Sequence, residues 1–199
     1  MWQRPRVTTT EAIRLLEQFR AGAVDCDAVM RAFQAAPVAD LGFATVDTHR
    51  ALRQGFPEVI FGAGKTPAQV AGIAAQLLRH DRRVLVTRAT REQARRLCRQ
   101  FKSAVYHETA RCVTVDRKPL PQRPGCIAVV CAGTSDLPVA EEAAVTAEIM
   151  GNRVARVADV GVAGLHRLLG KLSVLQEANV IVVVAGMEGA LASVVGGLV

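Results

Sequence analysis

One pattern occurs three times in the last third of the chain, and it restricts the fold more than any other feature. A run of branched apolar residues ends at a glycine, and a helix start follows at once. Ile127–Val130 leads into Ala132-Gly133-Thr134-Ser135-Asp136-Leu137-Pro138. A strand near Val154–Val160 leads into Gly161-Val162-Ala163-Gly164-Leu165-His166-Arg167. Val180–Val184 leads into Ala185-Gly186-Met187-Glu188-Gly189 and a small-residue helix. Strand–helix alternation at this spacing predicts an α/β fold, a parallel sheet with helices on both faces. Such sheets bind ligands outside the carboxyl ends of their strands. Asp136, His166 and Glu188 are therefore expected on one edge.

The same alternation extends upstream. Thr66-Pro67 opens a helix to about His80, because proline is tolerated in a first turn. Val84–Thr87 reads as a strand, Thr90 to about Lys102 as a charged helix, and Cys112–Val115 as another strand of the parallel sheet. Pro119, Pro121, Pro124 and Gly125 mark a loop, Leu137–Met150 a helix, and Gly164 to Glu177 another. The first third differs. Thr8 and Glu11 have capping-box spacing ahead of an apolar stripe at Ile13, Leu15, Leu16 and Phe19. A second short helix follows Asp25 to about Ala35, and residues 37–42 form a break. Residues 1–65 are read as a small N-terminal helical appendage with short extended pieces, and residues 66–199 as the α/β domain.

Composition removes several function classes. At 199 residues with 50% hydrophobic and 22% charged positions, the chain is long enough to bury a core without disulfide or metal staples. Five cysteines form no Cys-x-x-Cys pair and read as reduced thiols, which suits a cytoplasmic protein. The net charge is +7, and residues 79–99 hold eight arginines. That stretch is either a phosphate-reading surface or a solvated helix face. Aromatics are 4%, too few for a base-stacking surface, so no nucleic-acid partner is expected. Val180–Val199 is apolar, but Glu188 and four glycines interrupt it, so no membrane partner is expected either.

Two loops have anion-binding character. Gly62-Ala63-Gly64-Lys65-Thr66 looks like the end of a P-loop, yet Val59 stands where that motif requires glycine. Lys65 at a helix start can still meet an anion, and a plain tight turn explains the glycines equally well. Gly133-Thr134-Ser135-Asp136 combines amide donors, two hydroxyls and the helix dipole, which favours a phosphate, whereas Asp136 alone reads as an N-cap. His166 beside Arg167 at a strand end suits proton transfer.

These motifs resemble the nickel-pincer cofactor biosynthesis family LarB. The resemblance runs from about Leu41 to Val199. It is carried by Asp47-Thr48-His49-Arg50, Gly55–Ile60 and Gly62–Thr66, then by Ala132–Ala143, Asp159–Arg167 and Ala185–Leu191. The second half is similar, more distantly, to PurE-type aminoimidazole ribonucleotide carboxylases, through Gly133–Asp136 and Leu165-His166-Arg167. The resemblance implies a PurE-like, flavodoxin-like three-layer domain and an enzyme acting on nicotinic acid adenine dinucleotide. That family carboxylates C5 of the pyridinium ring with CO2 or bicarbonate as co-substrate. It also hydrolyses the phosphoanhydride, giving pyridinium-3,5-biscarboxylic acid mononucleotide and AMP. By resemblance, Asp136, His166 and Glu188 are catalytic. Gly133, Thr134, Ser135, Arg50, Glu58, Lys65, Thr66, Arg167, Gly164 and Gly186 hold substrate and its phosphates. No tightly bound cofactor and no metal ligand set is implied, although a divalent ion such as magnesium is compatible, and a homo-oligomer is expected. The alternatives are a PurE-type carboxylase or mutase of purine biosynthesis, and a truncated nucleotide-binding protein without catalysis.

The family chemistry adds a cysteine thiolate at C6 of the ring so that C5 becomes nucleophilic. In the family that cysteine follows the Gly-Gly pair, after another strand, and Cys26, Cys98, Cys112, Cys126 and Cys131 do not match it. The 199-residue chain is therefore expected to fold partially at best, with an apolar sheet edge, and to lack carboxylation.

Overall fold

The computed structural model describes residues 9–33, 38–48 and 50–199. The capping residue expected at Thr8, and His49 of the Asp47–Arg50 motif, lie outside them. Two helices come first, α1 (Thr9–Arg20) and α2 (Cys26–Phe33). A ribbon follows, in which β1 (Val38–Asp40) and β2 (Thr45–Asp47) pair antiparallel. Then come α3 (Arg50–Gln54) and β3 (Ile60–Phe61).

The central part contains α4 (Pro67–Leu77), β4 (Arg83–Thr87), α5 (Arg91–Gln100), β5 (Ala104–His107) and β6 (Cys112–Asp116). Both helices start at capping boxes. Thr66 accepts from the Gln69 amide while the Gln69 side chain accepts from Thr66, and Thr90 and Gln93 repeat the exchange. The strands form a four-stranded sheet in the order β3-β4-β6-β5.

The last part contains β7 (Ile127–Cys131), α6 (Leu137–Ile149), β8 (Val154–Val157), α7 (Leu165–Leu169), α8 (Leu172–Gln176), β9 (Val180–Val184) and α9 (Ala190–Leu198). Here the sheet is three-stranded and parallel, ordered β8-β7-β9. The α/β class with a parallel sheet and helices on both faces is present.

Its extent differs from expectation. Val84–Thr87 and Cys112–Val115 do not join the parallel sheet, for β4 and β6 pair antiparallel in the other one. The cause is local. β5 and β6 form a hairpin turning at residues 108–111, and a hairpin reverses direction where a parallel partner would need a crossover. A boundary after Lys65 falls inside the β3–α4–β4 unit, whose end strands pair in parallel. The helix expected from Gly164 to Glu177 is broken at Gly170-Lys171 into α7 and α8.

Strand alternation sets the layers. Val84 and Val86 face Ala74, Leu77 and Leu97 of α4 and α5, whereas Leu85 and Cys112 face Val145 and Ile149 of α6. In the parallel sheet, Val129 and Cys131 face Ala140 and Ala144 of α6, and Ala128 and Val130 face Leu168, Leu175, Leu191 and Val195. Helix α6 is thus the shared middle layer between two sheets. Its small residues, Ala140 and Ala144, lie against β7, and its larger ones, Val145 and Ile149, against β4 and β6.

Candidate functional site

The carboxyl ends of β7, β8 and β9 meet through their backbones. The Ala132 amide donates to Val184 O at 3.1 Å, and the Gly161 amide donates to Ala132 O at 2.9 Å. Gly161 suits this close approach, because a Cβ there would lie 3.0 Å from that same oxygen, tighter than side chains usually sit. Within the first loop, Asp136 Oδ2 accepts from the Gly133 amide at 2.9 Å. Its other oxygen faces the next loop, where a Cβ on Gly186 would stand 3.4 Å from Asp136 Oδ1. The half-buried Asp136 carboxylate is therefore held within its own loop and lies beside the Gly186 loop, while Thr134 and Ser135 are exposed.

His166 lies in the first turn of α7 and Glu188 in the turn that precedes the Gly189 cap of α9, on the same edge, and both are exposed. Arg167 is engaged locally, its Nη1 2.5 Å from Asp159 Oδ2. The guanidinium also lies over Gly164, whose added Cβ would come within 2.7 Å of Arg167 Nε. Asp159 opens the Asp159–Arg167 motif, but the sequence alone gives it no role. It has a left-handed backbone, φ 58°, which aspartate tolerates better than most residues, and β8 has already ended at Val157. The expected strand to Val160 was too long for this reason.

The N-terminal candidates divide. Lys65 Nζ donates to Phe61 O at 2.9 Å, and Thr66 is occupied as the α4 cap. Buried Gln93 donates to Gly62 O and Lys65 O, so this loop presents its carbonyls inward to α5. These bonds match the tight turn. Glu58 Oε2 accepts from the Asp47 amide at 2.8 Å, tying β2 to the segment before β3. Arg50 donates to Gln54 and lines a cavity with Arg123, Met150 and Asn152. Met150 caps the C-terminal end of α6, and the Gly133–Asp136 loop precedes its N-terminal end. A helix of 13 residues is about 20 Å long. Arg50 is therefore a helix length from that loop, and the structure does not bring the two together.

None of the cysteines is arranged as an activated thiol. Cys112, Cys126 and Cys131 are buried, and Cys26 and Cys98 are exposed on α2 and α5. Burial pushes the Cys112 thiol up to about 11. Cys131, the last residue of β7 and the cysteine nearest the edge in sequence, is also pushed up, chiefly by burial and further by the Asp136 charge, against a hydrogen bond from the Asp159 backbone that pulls it down. Among the described residues no three His, Cys, Asp or Glu side chains are grouped to hold a metal ion. No helix among them is long and apolar enough to cross a membrane.

The β1–β2 ribbon, the four-stranded sheet and its two capped helices form a unit that known proteins share. Residues 38–118 match the LarB/PurE-like N-terminal domain. The match ends just past β6, where the chain crosses to the parallel sheet. The resemblance read from Asp47–Thr66 thus holds at the level of the LarB/PurE-like family for this stretch. An uncharacterized protein of Methanocaldococcus jannaschii is 35% identical over 164 residues. That alignment covers 77% of this chain, and the chain spans 63% of the relative's length.

Proposed function

We propose that this chain carries the substrate-binding and proton-transfer residues of a LarB-type carboxylase acting on nicotinic acid adenine dinucleotide. The LarB/PurE-like N-terminal domain supports a carboxylase-type enzyme. The observation that carries the narrower reading is the Asp136 carboxylate set between the Gly133–Asp136 loop and Gly186 on the carboxyl edge of a parallel sheet.

In this reading, Gly133, Thr134 and Ser135 hold a substrate phosphate through amide and hydroxyl donors at the loop that precedes α6. The pyridinium ring lies across the edge. Carbon dioxide, drawn from bicarbonate, bonds to C5, and the C5 proton leaves to a base, the role assigned to His166. Glu188 and Asp136 orient the water that cleaves the phosphoanhydride, releasing AMP. The nucleophile that adds at C6 beforehand leaves again with its bonding pair once C5 has lost its proton, which restores the aromatic pyridinium, and neither step is assigned to any of the five cysteines. A homo-oligomer in the cytoplasm completes the proposal by resemblance.

Calorimetric titration with nicotinic acid adenine dinucleotide tests it. Binding is expected, and the double replacement Thr134→Ala with Ser135→Ala is expected to weaken it about tenfold or more, since hydrogen bonds to a charged group contribute about 1.5–3 kcal/mol. Unchanged affinity would overturn the reading.

A further inference from the structure

We infer that a cavity at the carboxyl ends of β3 and β4 is a binding site for a nucleoside monophosphate group. The cavity, of about 660 Å³, lies on the four-stranded sheet and has no residue of the Gly133–Asp136 loop in its lining. Its size is that of small-molecule sites. Its lining has two chemistries. Arg88, Arg91 and Arg111 supply three guanidinium groups, and Phe61 and Tyr106 supply aromatic rings.

The guanidiniums are unequally occupied. Arg88 gives its Nε to Glu142 at 2.6 Å, which leaves both terminal nitrogens for a ligand. Arg91 pairs with Glu108 at the rim. The Arg111 guanidinium has no hydrogen bond or ion pair among the described residues. Arg88 and Arg111 spring from adjacent points, because the Ala89 amide donates to Arg111 O at 2.7 Å. Both have left-handed backbones, φ 51° and 49°. Arginine forks match phosphate oxygens, and an open aromatic face takes a planar base. Phe61 is 56% exposed, so its ring is accessible from the cavity. An arginine cluster beside an aromatic face selects a ligand with both a phosphate and a flat ring. This inference does not rest on the carboxylase reading.

The group has two sources, a free nucleotide or one half of a dinucleotide. AMP and nicotinic acid adenine dinucleotide are therefore titrated separately into the full chain. Arg111→Asn is the variant of choice, since asparagine keeps the left-handed backbone that alanine would strain. AMP is expected to bind the parent chain, and the variant to bind at least tenfold more weakly. Phe61→Ala is expected to reduce affinity for AMP more than for inorganic phosphate. Hydrogen exchange with AMP should show new protection over residues 61–66 and 88–91. If Arg111→Asn weakens the dinucleotide too, the group belongs to the dinucleotide, and if it does not, the site serves a free nucleotide. Failure of AMP to bind, unchanged affinity in Arg111→Asn, or protection only over residues 133–136 would overturn the inference. The Thr134 and Ser135 replacements are expected to leave AMP binding at this cavity unchanged, because neither residue lines it, so failure of one site is distinguishable from failure of the other.

Discussion

At the scale of single residues, charge and close contact lead to separate expectations. Asp81 precedes β4, and burial raises its pKa from 3.8 to about 6, with the Arg83 guanidinium pulling the other way. A carboxyl whose folded pKa is raised favours the folded state most when protonated. Its stabilising contribution is full below pH 3.8 and is lost as the pH rises through about 6. At pH 7 the fold therefore holds this carboxylate at a cost. Asp81→Asn is expected to raise the melting temperature at pH 7, with the gain fading toward pH 4. A lower melting temperature at pH 7 would mean that attraction to Arg83, whose Nε and Nη1 are buried without a hydrogen-bond partner, dominates instead. Gly62 is constrained by contact. A Cβ there would lie 2.8 Å from Gln93 Oε1 and 3.0 Å from Thr87 O, and the second of these is backbone that cannot move aside. Gly62→Ala is expected to cost about 1–3 kcal/mol in chemical denaturation, the usual range for overpacking. A cost below about 0.5 kcal/mol would show that the turn after β3 has slack.

At the scale of elements, α6 has most consequence, because it is the layer that two sheets share. Leu85 is fully buried on the face of β4 that meets Val145 and Ile149. Leu85→Ala is expected to destabilise by about 2–5 kcal/mol, as buried leucine truncations do. A single unfolding transition should persist in denaturant melts, with both sheets lost together. Two separated transitions would show that α6 does not couple them. Much of this architecture was legible in the sequence. Val84–Thr87, Ile127–Val130 and Val180–Val184 read as strands because they are short, branched and bounded by turn residues. Thr66-Pro67 read as a helix start because proline suits a first turn, and Thr90 opened a charged run; the capping boxes at both residues emerged only in the structure. Pairing direction was not legible. Nothing in Cys112–Val115 itself tells a parallel from an antiparallel partner, and the deciding element, β5, is only four residues, Ala104-Val105-Tyr106-His107, directly after a charged helix. The strand-end candidates Asp136, His166 and Glu188 were readable because a glycine before a helix start is a local signal. The place of Arg111 and the pairing of Asp159 with Arg167 were not, since a left-handed backbone at a non-glycine residue leaves no reliable mark in sequence.

At the scale of the whole molecule, the two sheets divide the chemistry. The parallel sheet offers hydroxyls, a half-buried carboxylate and a histidine, and the four-stranded sheet offers an arginine-lined cavity. Neither offers a reactive thiol, and this leads to the last expectation. A pyridinium ring is electron-poor, so C5 does not attack carbon dioxide until a nucleophile has added beside it. A cysteine does this as thiolate, and a thiol with a pKa near 11 is ionised at about one part in ten thousand at pH 7. Cys131 is the cysteine that ends a strand at the candidate edge, yet it is 2% exposed, and burial and nearby carboxylates both oppose its ionisation. Its neighbourhood is the reverse of the electropositive, open setting of reactive cysteines. Cys98 is exposed, but it lies on α5 with its Sγ toward Ala104 O, on the other sheet. These 199 residues, given nicotinic acid adenine dinucleotide and isotopically labelled bicarbonate, are therefore expected to bind the dinucleotide and form no carboxylated product. Mass spectrometry of the nucleotide pool checks both the label and any released AMP. Label in a pyridinium product would overturn the thiolate argument, and serine replacement of each cysteine in turn would then show whether Cys131 reacts despite its burial or whether the ring is activated without sulfur.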